Sequence, residues 1–417
     1  MTRPTFVTVG AGQSAAVAAR NLRRGGFDGR IVLIGDEPHA PYQRPPLSKD
    51  FLAGADQEES LWILPEKWRS DNDIELVTGR TVTRLDTAAG AVEFDGHTAL
   101  SADSVLIATG GSPRRLPVPG PRPDLVHYLR TLDDARGLAP HLAPGRRLAV
   151  IGAGFIGLEI AATATAAGAA VTVLEAADVP LARVIGHDMG ALVAALHRDS
   201  GVDLRLATAV SAMRTTDSHV VIEIDRSTTP LEFDAVVIGI GITPNVAVAT
   251  ASGLAVDDGI LVDELGRTAV PGVYAAGDVA RRYSPRAGRR IRLEHFDNAS
   301  RQGVAVAGAI LGREAVSDDP HWFWSDQFGR NMQFTGAATG TAVIRGDRAA
   351  LDFTAFFFDG PVLCGAFTVD RGEDISVARE LLGRRFDAAV LGDEDIDLWD
   401  LAYPDSDDEL QTLEVRA

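Results

Sequence analysis

One stretch near the start of the chain decides the fold: Thr5-Phe6-Val7-Thr8-Val9-Gly10-Ala11-Gly12-Gln13-Ser14-Ala15. It leads from an apolar β-strand pattern through a glycine turn into an alanine-rich helical segment that ends near Arg24. A second strand pattern, Arg30–Ile34, follows and ends at Asp36 and Glu37. A strand, a glycine turn, a helix and a second strand form half of a parallel α/β unit.

The same unit occurs a second time. Leu148–Ile151 leads into Gly152-Ala153-Gly154-Phe155-Ile156-Gly157 and a helical segment that ends near Ala167. The next strand pattern, Ala170–Leu174, ends at Glu175. Two copies of this unit predict an α/β fold with two Rossmann-like domains.

The glycine spacing indicates that each unit binds a dinucleotide. The first glycine makes the turn out of the strand, the second lets the backbone approach a diphosphate, and the third position keeps the helix close to the sheet. Helix N–H groups then bind the diphosphate, and the acid after the second strand accepts hydrogen bonds from ribose. The candidate nucleotide ligands are Gly10, Gly12, Ser14, Ala15, Asp36 and Glu37 in the first unit and Gly152, Gly154, Ile156, Gly157 and Glu175 in the second.

The second unit has the pattern of an NADH site. Glu175 would repel a 2′-phosphate, and the next arginine is Arg183. The strand Val236–Ile240 is followed by a glycine turn at Gly241, which we expect to close this domain and return the chain to the first one. We therefore include Arg183 and Gly241 among the NAD-site candidates.

Two further strand-and-turn segments indicate that the first unit binds FAD. Val105–Gly111 reads as a buried strand that enters a tight turn, and Gly272–Asp278 reads as a second one. Gly277 would let the backbone approach the ribityl chain, and Asp278 would accept a hydrogen bond from one of its hydroxyls.

Length and composition exclude several classes of protein. The chain has 417 residues, which predicts two or three domains, and no apolar run is long enough for a membrane helix. The start of the chain leaves no room for a signal peptide, so we expect a cytoplasmic protein. The single cysteine, Cys364, excludes an internal disulfide and a Cys-x-x-Cys redox centre, and no metal site is evident. The formal charge of -18 argues against binding to nucleic acid or acidic membranes.

Together these motifs resemble the FAD-dependent ferredoxin reductases of bacterial monooxygenase and dioxygenase systems, a glutathione-reductase-type family. The resemblance covers essentially the whole chain, and its most specific part is Tyr42-Gln43-Arg44-Pro45-Pro46-Leu47-Ser48-Lys49. Supporting motifs are Tyr128–Leu132, Gly157-Leu158-Glu159 and Trp322-Phe323-Trp324-Ser325-Asp326-Gln327.

The resemblance implies roles for individual residues. Lys49 would lie near the N5 edge of the flavin and pair with Glu159, because either charge alone would be costly beside a buried ring. Trp324 would pack beside the isoalloxazine; the alternative is that it is a residue of the hydrophobic core. Asp297 or Asn298 is expected to cap the helix after the Glu294 segment. The remaining implied FAD contacts are Arg44, Val82, Arg130, Glu294, His295 and Phe296.

The resemblance also divides the chain into domains. Residues 1–112 and 243–319 would form a split FAD-binding domain, and 113–242 would form the NAD-binding domain. Residues 320–417 would form a C-terminal α+β domain that covers the flavin and contributes to the partner face, with one helix near Ser376–Leu382.

The implied activity is oxidation of NADH by hydride transfer to FAD, followed by single-electron transfer to an iron-sulfur ferredoxin, of the [2Fe-2S] or a similar type. Alternatives are a stand-alone NADH oxidase or reductase of a small acceptor, and a redox-sensing interaction protein similar to apoptosis-inducing factor. We expect a monomer or weak dimer. Some of six closely spaced arginines would form the docking face for an acidic ferredoxin. These are Arg281, Arg282, Arg286, Arg289, Arg290 and Arg292.

Overall fold

The structure, a computed structural model, describes residues 3–95, 98–117, 122–225, 227–313 and 319–404. The chain divides into two compact units. The first unit comprises Met1–Pro46, Asp56–Ser112 and Ile242–Asp318, and the second comprises Leu47–Ala55, Pro113–Gly241 and Asp319–Ala417. The segment that carries Lys49 therefore groups with the second unit. The predicted division into three domains stays a prediction, and its last residues, 405–417, lie outside the described part of the chain.

The helices and strands follow in chain order. Within the described residues, the α-helices are α1 (Gln13–Arg24), α2 (Glu66–Asp71), α3 (Leu132–Leu138), α4 (Phe155–Ala166), α5 (Ala182–Asp199), α6 (Ala247–Ala251), α7 (Phe296–Ile310), α8 (Gly372–Leu381), α9 (Ala388–Gly392) and α10 (Leu398–Ala402). Short 3-10 helices cover Pro45–Ser48, Glu58–Leu61 and Ala139–Leu142. The strands are β1 (Thr5–Val9), β2 (Arg30–Ile34), β3 (Ile74–Val77), β4 (Val82–Asp86), β5 (Ala91–Phe94), β6 (Thr98–Ser101), β7 (Ser104–Ile107), β8 (Gly111–Pro113), β9 (Val126–His127), β10 (Arg147–Ile151), β11 (Ala170–Leu174), β12 (Asp203–Arg205), β13 (Val210–Thr215), β14 (Val220–Ile224), β15 (Leu231–Phe233), β16 (Ala235–Ile238), β17 (Ile242–Pro244), β18 (Ile260–Val262), β19 (Val273–Ala275), β20 (Ala280–Ser284), β21 (Arg289–Ile291), β22 (Trp322–Gln327), β23 (Arg330–Gly336), β24 (Thr341–Asp347), β25 (Asp352–Asp359) and β26 (Val362–Val369).

The first unit is built on a parallel sheet of order β19-β7-β1-β2-β3. Its strands are almost continuously apolar because both faces of the sheet are covered, one by α1 and α7 and the other largely by β4, β5, β18 and α6. α1 packs closely against α7, where a Cβ on Gly303 would lie 2.6 Å from the Ser14 carbonyl oxygen. Three smaller sheets complete the unit: β4-β5-β6, β18-β20-β21 and β17-β8.

The second unit repeats this arrangement with the parallel sheet β12-β11-β10-β16-β9 and a three-stranded sheet, β13-β14-β15. In both units the first glycine follows the central strand, so the turn lies where the strand order reverses. This is the position at which open α/β sheets bind nucleotides.

The C-terminal part of the second unit is an antiparallel sheet of order β22-β23-β26-β25-β24. Phe334, Phe353 and Phe367 from this sheet share one apolar cluster with Val150 and Leu158 of the Rossmann-like fold. The sequence predicted one helix here, but the structure has α8, α9 and α10. The two missed helices have five residues each, and the carboxylates of Asp387 and Asp397, the residues just before them, cap them. In sequence such short acidic segments resemble loops.

The predicted fold class, two Rossmann-like domains with a C-terminal α+β domain, is confirmed. None of the helices in the described ranges combines the length and the apolar character of a membrane span.

The shared cluster predicts that the antiparallel sheet stabilises the whole second unit. Phe334 is 1% exposed. Phe334→Ala should lower the free energy of unfolding by ~3–5 kcal/mol, because it removes a buried ring and leaves a cavity. Chemical denaturation followed by circular dichroism measures this. Tyr403→Ala is the matched control, since Tyr403 is 62% exposed and its loss should cost under ~1 kcal/mol. Equal losses in the two variants would contradict the shared core.

Candidate functional site

The glycine turn of the first unit has the geometry that a dinucleotide requires. Gly10 has a φ of 99°, and a Cβ there would lie 2.3 Å from the Ala108 carbonyl oxygen, so only glycine fits. A Cβ on Gly12, by contrast, would meet nothing within 4 Å. Gly12 is also the N-cap residue of α1, and it has no side chain to accept hydrogen bonds from the first N–H groups of the helix. The turn therefore presents N–H donors next to open space, and Ala15, fully buried, keeps α1 close to the sheet.

The second unit has the same turn. Gly152 has a φ of 100°, and a Cβ there would lie 2.5 Å from the Gly239 carbonyl oxygen. A Cβ on Gly154 would again meet nothing within 4 Å, whereas one on Gly157 would lie 2.1 Å from the Gly152 carbonyl oxygen. Ile156 is 46% exposed at the start of α4. Both turns therefore fit a diphosphate by the same criterion.

The acids that follow the two turns have different surroundings. Glu175 accepts hydrogen bonds from the backbone N–H groups of Ala153, at 2.6 Å, and Ala177, at 2.8 Å. In the first unit Asp36 is exposed, and Glu37 instead accepts from the Arg44 guanidinium, at 2.5 Å, and from the Tyr42 hydroxyl.

Arg44 is held by neighbouring groups that stabilise its charge. Its guanidinium lies 5.0 Å from the centre of the Tyr42 ring. Burial acts to lower the pKa of Arg44, but Tyr42, Glu37 and the nearby Asp278 outweigh this effect and raise it. Arg44 is thus a permanent cation in the first unit, as a phosphate or ribose contact requires.

Gly277 lies beside the first turn and is in close contact with the start of α1. A Cβ there would lie 2.7 Å from Ser14 Oγ, which itself donates to the Ala299 carbonyl at 2.9 Å. The Gly277 N–H donates to Gln302 Oε1 at 2.8 Å. The structure therefore accounts for this glycine by its contact with α1, and an approach to a ribityl chain stays a prediction, as does the role of half-buried Asp278.

The start of α7 corrects one expectation. His295 is the N-cap residue, and its Nδ1 accepts the Asp297 N–H at 3.3 Å. Asp297 and Asn298, the expected caps, instead pair with Arg301 and bond to the Leu293 carbonyl. The helix begins one residue before Asp297, so both side chains point away from the cap position. Phe296 is the first helical residue, and Glu294 is exposed and paired with Arg292.

The other predicted contact residues are buried to different degrees. Val82 is 8% exposed and belongs to an apolar cluster of the first unit. In the second unit Arg130 is half-buried just before α3, and Arg183 is exposed at the start of α5. Gly241 has a φ of 98° and accepts the Arg114 N–H at 2.9 Å. Trp324 is half-buried and stacks on Trp322, with ring centres 5.2 Å apart.

The second unit also contains the expected Lys49–Glu159 ion pair. Lys49 Nζ lies 2.9 Å from Glu159 Oε1, and the two side chains are 14% and 3% exposed. The Glu159 carboxylate accepts two further hydrogen bonds, from the hydroxyls of Ser48 and Ser325. These serines were not predicted as site residues, although both lie in motifs that carried the resemblance.

Comparisons with known proteins agree with this geometry. The family model described as pyridine nucleotide-disulphide oxidoreductase matches residues 4–303, and the one described as reductase C-terminal matches 322–402. The chain is 40% identical to rhodocoxin reductase of Rhodococcus erythropolis over 380 residues, which cover 91% of this chain and 89% of the relative. It is 39% identical to the ferredoxin–NAD(+) reductase component of the anthranilate 1,2-dioxygenase system of Burkholderia cepacia, over 92% of this chain and 95% of the relative. The crystal structure of the covalent putidaredoxin reductase–putidaredoxin complex matches with a TM-score of 0.91 and 34% identity, over 96% of this chain and 98% of that one.

The two glycines of the first turn predict opposite effects of the same substitution. Gly12→Ala leaves the fold intact because its Cβ enters open space, but that methyl group would collide with a bound diphosphate. FAD affinity should fall at least about tenfold. Gly10→Ala should instead destabilise the protein itself by ~2 kcal/mol or more, because of its φ and the carbonyl contact. Thermal unfolding of the apoprotein and the visible absorbance retained after desalting measure the two effects. A Gly12→Ala protein that retains FAD as the parent does would contradict this reading of the turn.

Proposed function

Because the chain belongs to the pyridine nucleotide-disulphide oxidoreductase family, we propose that it is an FAD-dependent NADH:ferredoxin reductase that serves an oxygenase system. One observation carries this proposal: each unit has a turn whose first glycine is fixed by backbone contact and whose second opens onto free space. Two such turns suit two dinucleotides, one resident and one exchanging. The single cysteine, Cys364, cannot provide the pair of thiols that a disulphide reductase uses.

The acceptor is proposed from the relatives. One relative is the ferredoxin–NAD(+) reductase component of a dioxygenase system, and another is a putidaredoxin reductase in complex with putidaredoxin. We infer that this chain likewise passes electrons to a small iron-sulfur ferredoxin, of the [2Fe-2S] or a similar type. We also propose a cytoplasmic protein that is a monomer or a weak dimer.

The Lys49–Glu159 pair is the proposed centre of the NADH half-reaction. When bound, FAD accepts a hydride from NADH and releases electrons one at a time. Glu159 is the fifth residue of α4 and lies two residues after Gly157, the last glycine of the proposed NAD turn. In this position Lys49 supplies positive charge that stabilises negative charge on a reduced ring, and Glu159 orients the lysine. Neither residue needs to transfer a proton during hydride transfer.

Glu175 is the proposed determinant of cofactor choice. Its carboxylate has acceptor positions left for ribose hydroxyls after it has bound the two backbone N–H groups. A 2′-phosphate at the same place would be repelled, and among the described residues no cation pairs with Glu175.

The proposed partner face contains fewer than the six arginines that the sequence suggested. Arg281 pairs with Asp257, and Arg292 pairs with Asp258 and Glu294, so these charges are largely compensated. Arg289 and Arg290 are exposed on β21, and Arg290 is paired in register with Tyr283, which is 37% exposed. We therefore propose that Arg289 and Arg290 contribute most to the attraction of an acidic ferredoxin.

Cofactor choice can be tested by anaerobic titration of the flavin absorbance with NADH and with NADPH. The parent protein should be reduced by NADH at much lower concentration. Glu175→Gln removes the repulsion of the 2′-phosphate, so the preference for NADH should fall about tenfold. Asp178→Asn is the matched control, because it removes an acid, 77% exposed, from the same loop. If Asp178→Asn lost the preference for NADH equally, the change would be due to the net charge of the loop and not to Glu175.

The partner face can be tested by charge reversal. Arg289→Glu/Arg290→Glu should slow ferredoxin reduction about tenfold or more at low salt, and the difference should shrink as salt is added. Turnover with ferricyanide should not change, because NADH oxidation does not involve this hairpin. Arg146→Glu/Arg348→Glu makes the same change of net charge at exposed positions of the second unit. Equal slowing in both double variants would exclude a specific face at β21.

A further inference from the structure

A chain of buried polar side chains extends from Glu159 into the protein. Ser325 Oγ donates to Glu159 Oε1 at 2.6 Å, and Gln327 Nε2 donates to Ser325 Oγ at 2.9 Å. Gln327 Oε1 lies 2.8 Å from His197 Nε2. Ser325 and His197 are 0% exposed, and Gln327 is 1% exposed.

These hydrogen-bonded side chains connect three elements of the second unit. Glu159 belongs to α4, His197 to α5, and Ser325 and Gln327 to β22 of the antiparallel sheet. Ser325 and Gln327 are two residues apart, so both point to the same side of β22. Trp322 and Trp324 occupy the opposite side and stack on each other.

The carboxylate at one end fixes the direction of every hydrogen bond. A carboxylate only accepts, so the Ser325 hydroxyl must donate its proton to Glu159. The Ser325 oxygen can then only accept from the Gln327 amide nitrogen, which turns the amide oxygen toward His197. His197 must consequently carry a proton on Nε2.

His197 itself supports this assignment. Burial lowers its pKa, and the hydrogen bond to Gln327 offsets this only in part, so the ring is neutral at neutral pH. Its Nδ1 is buried and has no hydrogen-bond partner among the described residues. Phe328 packs edge-on against the ring, with centres 5.0 Å apart. The ring is thus held in one orientation and one tautomer.

Packing does not explain this arrangement. Replacing buried hydrogen-bonded or ion-paired groups by apolar groups of the same shape is often neutral or stabilising, so stability alone does not call for them. The α4–β22 contact already contains apolar partners, since Phe155 and Phe323 lie with ring centres 4.6 Å apart. The polar chain therefore requires another reason, and it ends at the carboxylate of the proposed reaction centre.

We propose that Ser325, Gln327 and His197 are positioning residues that hold the Glu159 carboxylate, and through it Lys49, for the NADH half-reaction. Strand β22 of the C-terminal sheet thereby helps to position the reaction centre, in addition to any part that the sheet has in binding the protein partner. The effect on NADH oxidation rests on the proposed function. The hydrogen bonds between Glu159, Ser325, Gln327 and His197 do not depend on it.

The central experiment uses the FAD-loaded protein and Gln327→Met, which keeps the side-chain volume and removes both hydrogen bonds. Proton–nitrogen correlation NMR should show His197 as the Nε2–H tautomer in the parent and as a mixture of tautomers in the variant. Single-turnover reduction of the flavin by NADH should slow about tenfold, while the dissociation constant of NAD(+) stays within about twofold, as expected for a group that acts on the reacting centre.

A conservative pair separates the hydrogen bond from the presence of a ring. His197→Gln retains an N–H donor and should reduce its flavin within about twofold of the parent rate, whereas His197→Leu should slow it as Gln327→Met does. Ser325→Ala removes the direct donor to Glu159 with the smallest change of volume, and should slow reduction at least as much.

Thr354→Val is the matched control for loosening of the sheet. Thr354 is 0% exposed in β25 of the same sheet. Its hydrogen bonds, to Thr368 and Asp374, do not involve the hydrogen-bonded side chains that lead to Glu159. Its flavin reduction should equal that of the parent. The proposal would be overturned if Thr354→Val slowed flavin reduction equally, or if folded Gln327→Met kept the parent rate. It would also be overturned if His197 in the parent were the Nδ1–H tautomer. A parent that binds no FAD, or that NADH does not reduce, would instead refute the proposed function, and the tautomer of His197 could still be read.

Discussion

The buried carboxylate of Glu159 is the group on which the arrangement of the second unit depends. Removing a carboxylate from water costs several kcal/mol unless charge and hydrogen bonds replace its hydration. Three groups supply them here: Lys49 and Ser48 from the segment Leu47–Ala55, and Ser325 from β22. The Thr163 hydroxyl also donates to the Ser48 carbonyl at 2.8 Å, which holds this segment against α4. One acid thus ties together three stretches of chain that are more than a hundred residues apart. This explains why a segment early in the sequence belongs to the second unit.

Local sequence predicted the features that depend on local geometry. The two turns could be read from glycine spacing because the first glycine of each must adopt a positive φ next to a backbone carbonyl, and no other residue does so cheaply. The helix and strand that flank each turn follow from the same short pattern. Lys49 and Glu159 could be paired only through the resemblance, because no periodicity relates residues so far apart.

The features that sequence did not predict depend on distant contacts. Nothing near His197 marks it as part of the site, since its partner Gln327 lies on another element. The approach of Gly277 to a ribityl chain stays a prediction, and sequence did not show that the side chain excluding a Cβ there belongs to Ser14. The arginine cluster had the same limitation. Two of its acidic partners, Asp257 and Asp258, precede it by more than twenty residues, so sequence counted charges that the fold neutralises.

The two Rossmann-like folds share a topology but differ in electrostatics, and the difference suits two modes of binding. In the first unit the acid after the second strand holds a cation, Arg44, whose charge is reinforced by Tyr42 and by Asp278. In the second unit the corresponding Glu175 accepts, among the described residues, from backbone N–H groups of its own turn and loop. Glu37 compensates part of the Arg44 charge, so what remains would attract a dianionic diphosphate less than a free cation does, and would still slow its release relative to a turn that has no cation. A reductase needs both properties, because its flavin must stay through many turnovers while oxidised nicotinamide must leave after each one. The different partners of Glu37 and Glu175 therefore agree with the proposed roles of the two units, a resident flavin in the first and an exchanging nicotinamide in the second.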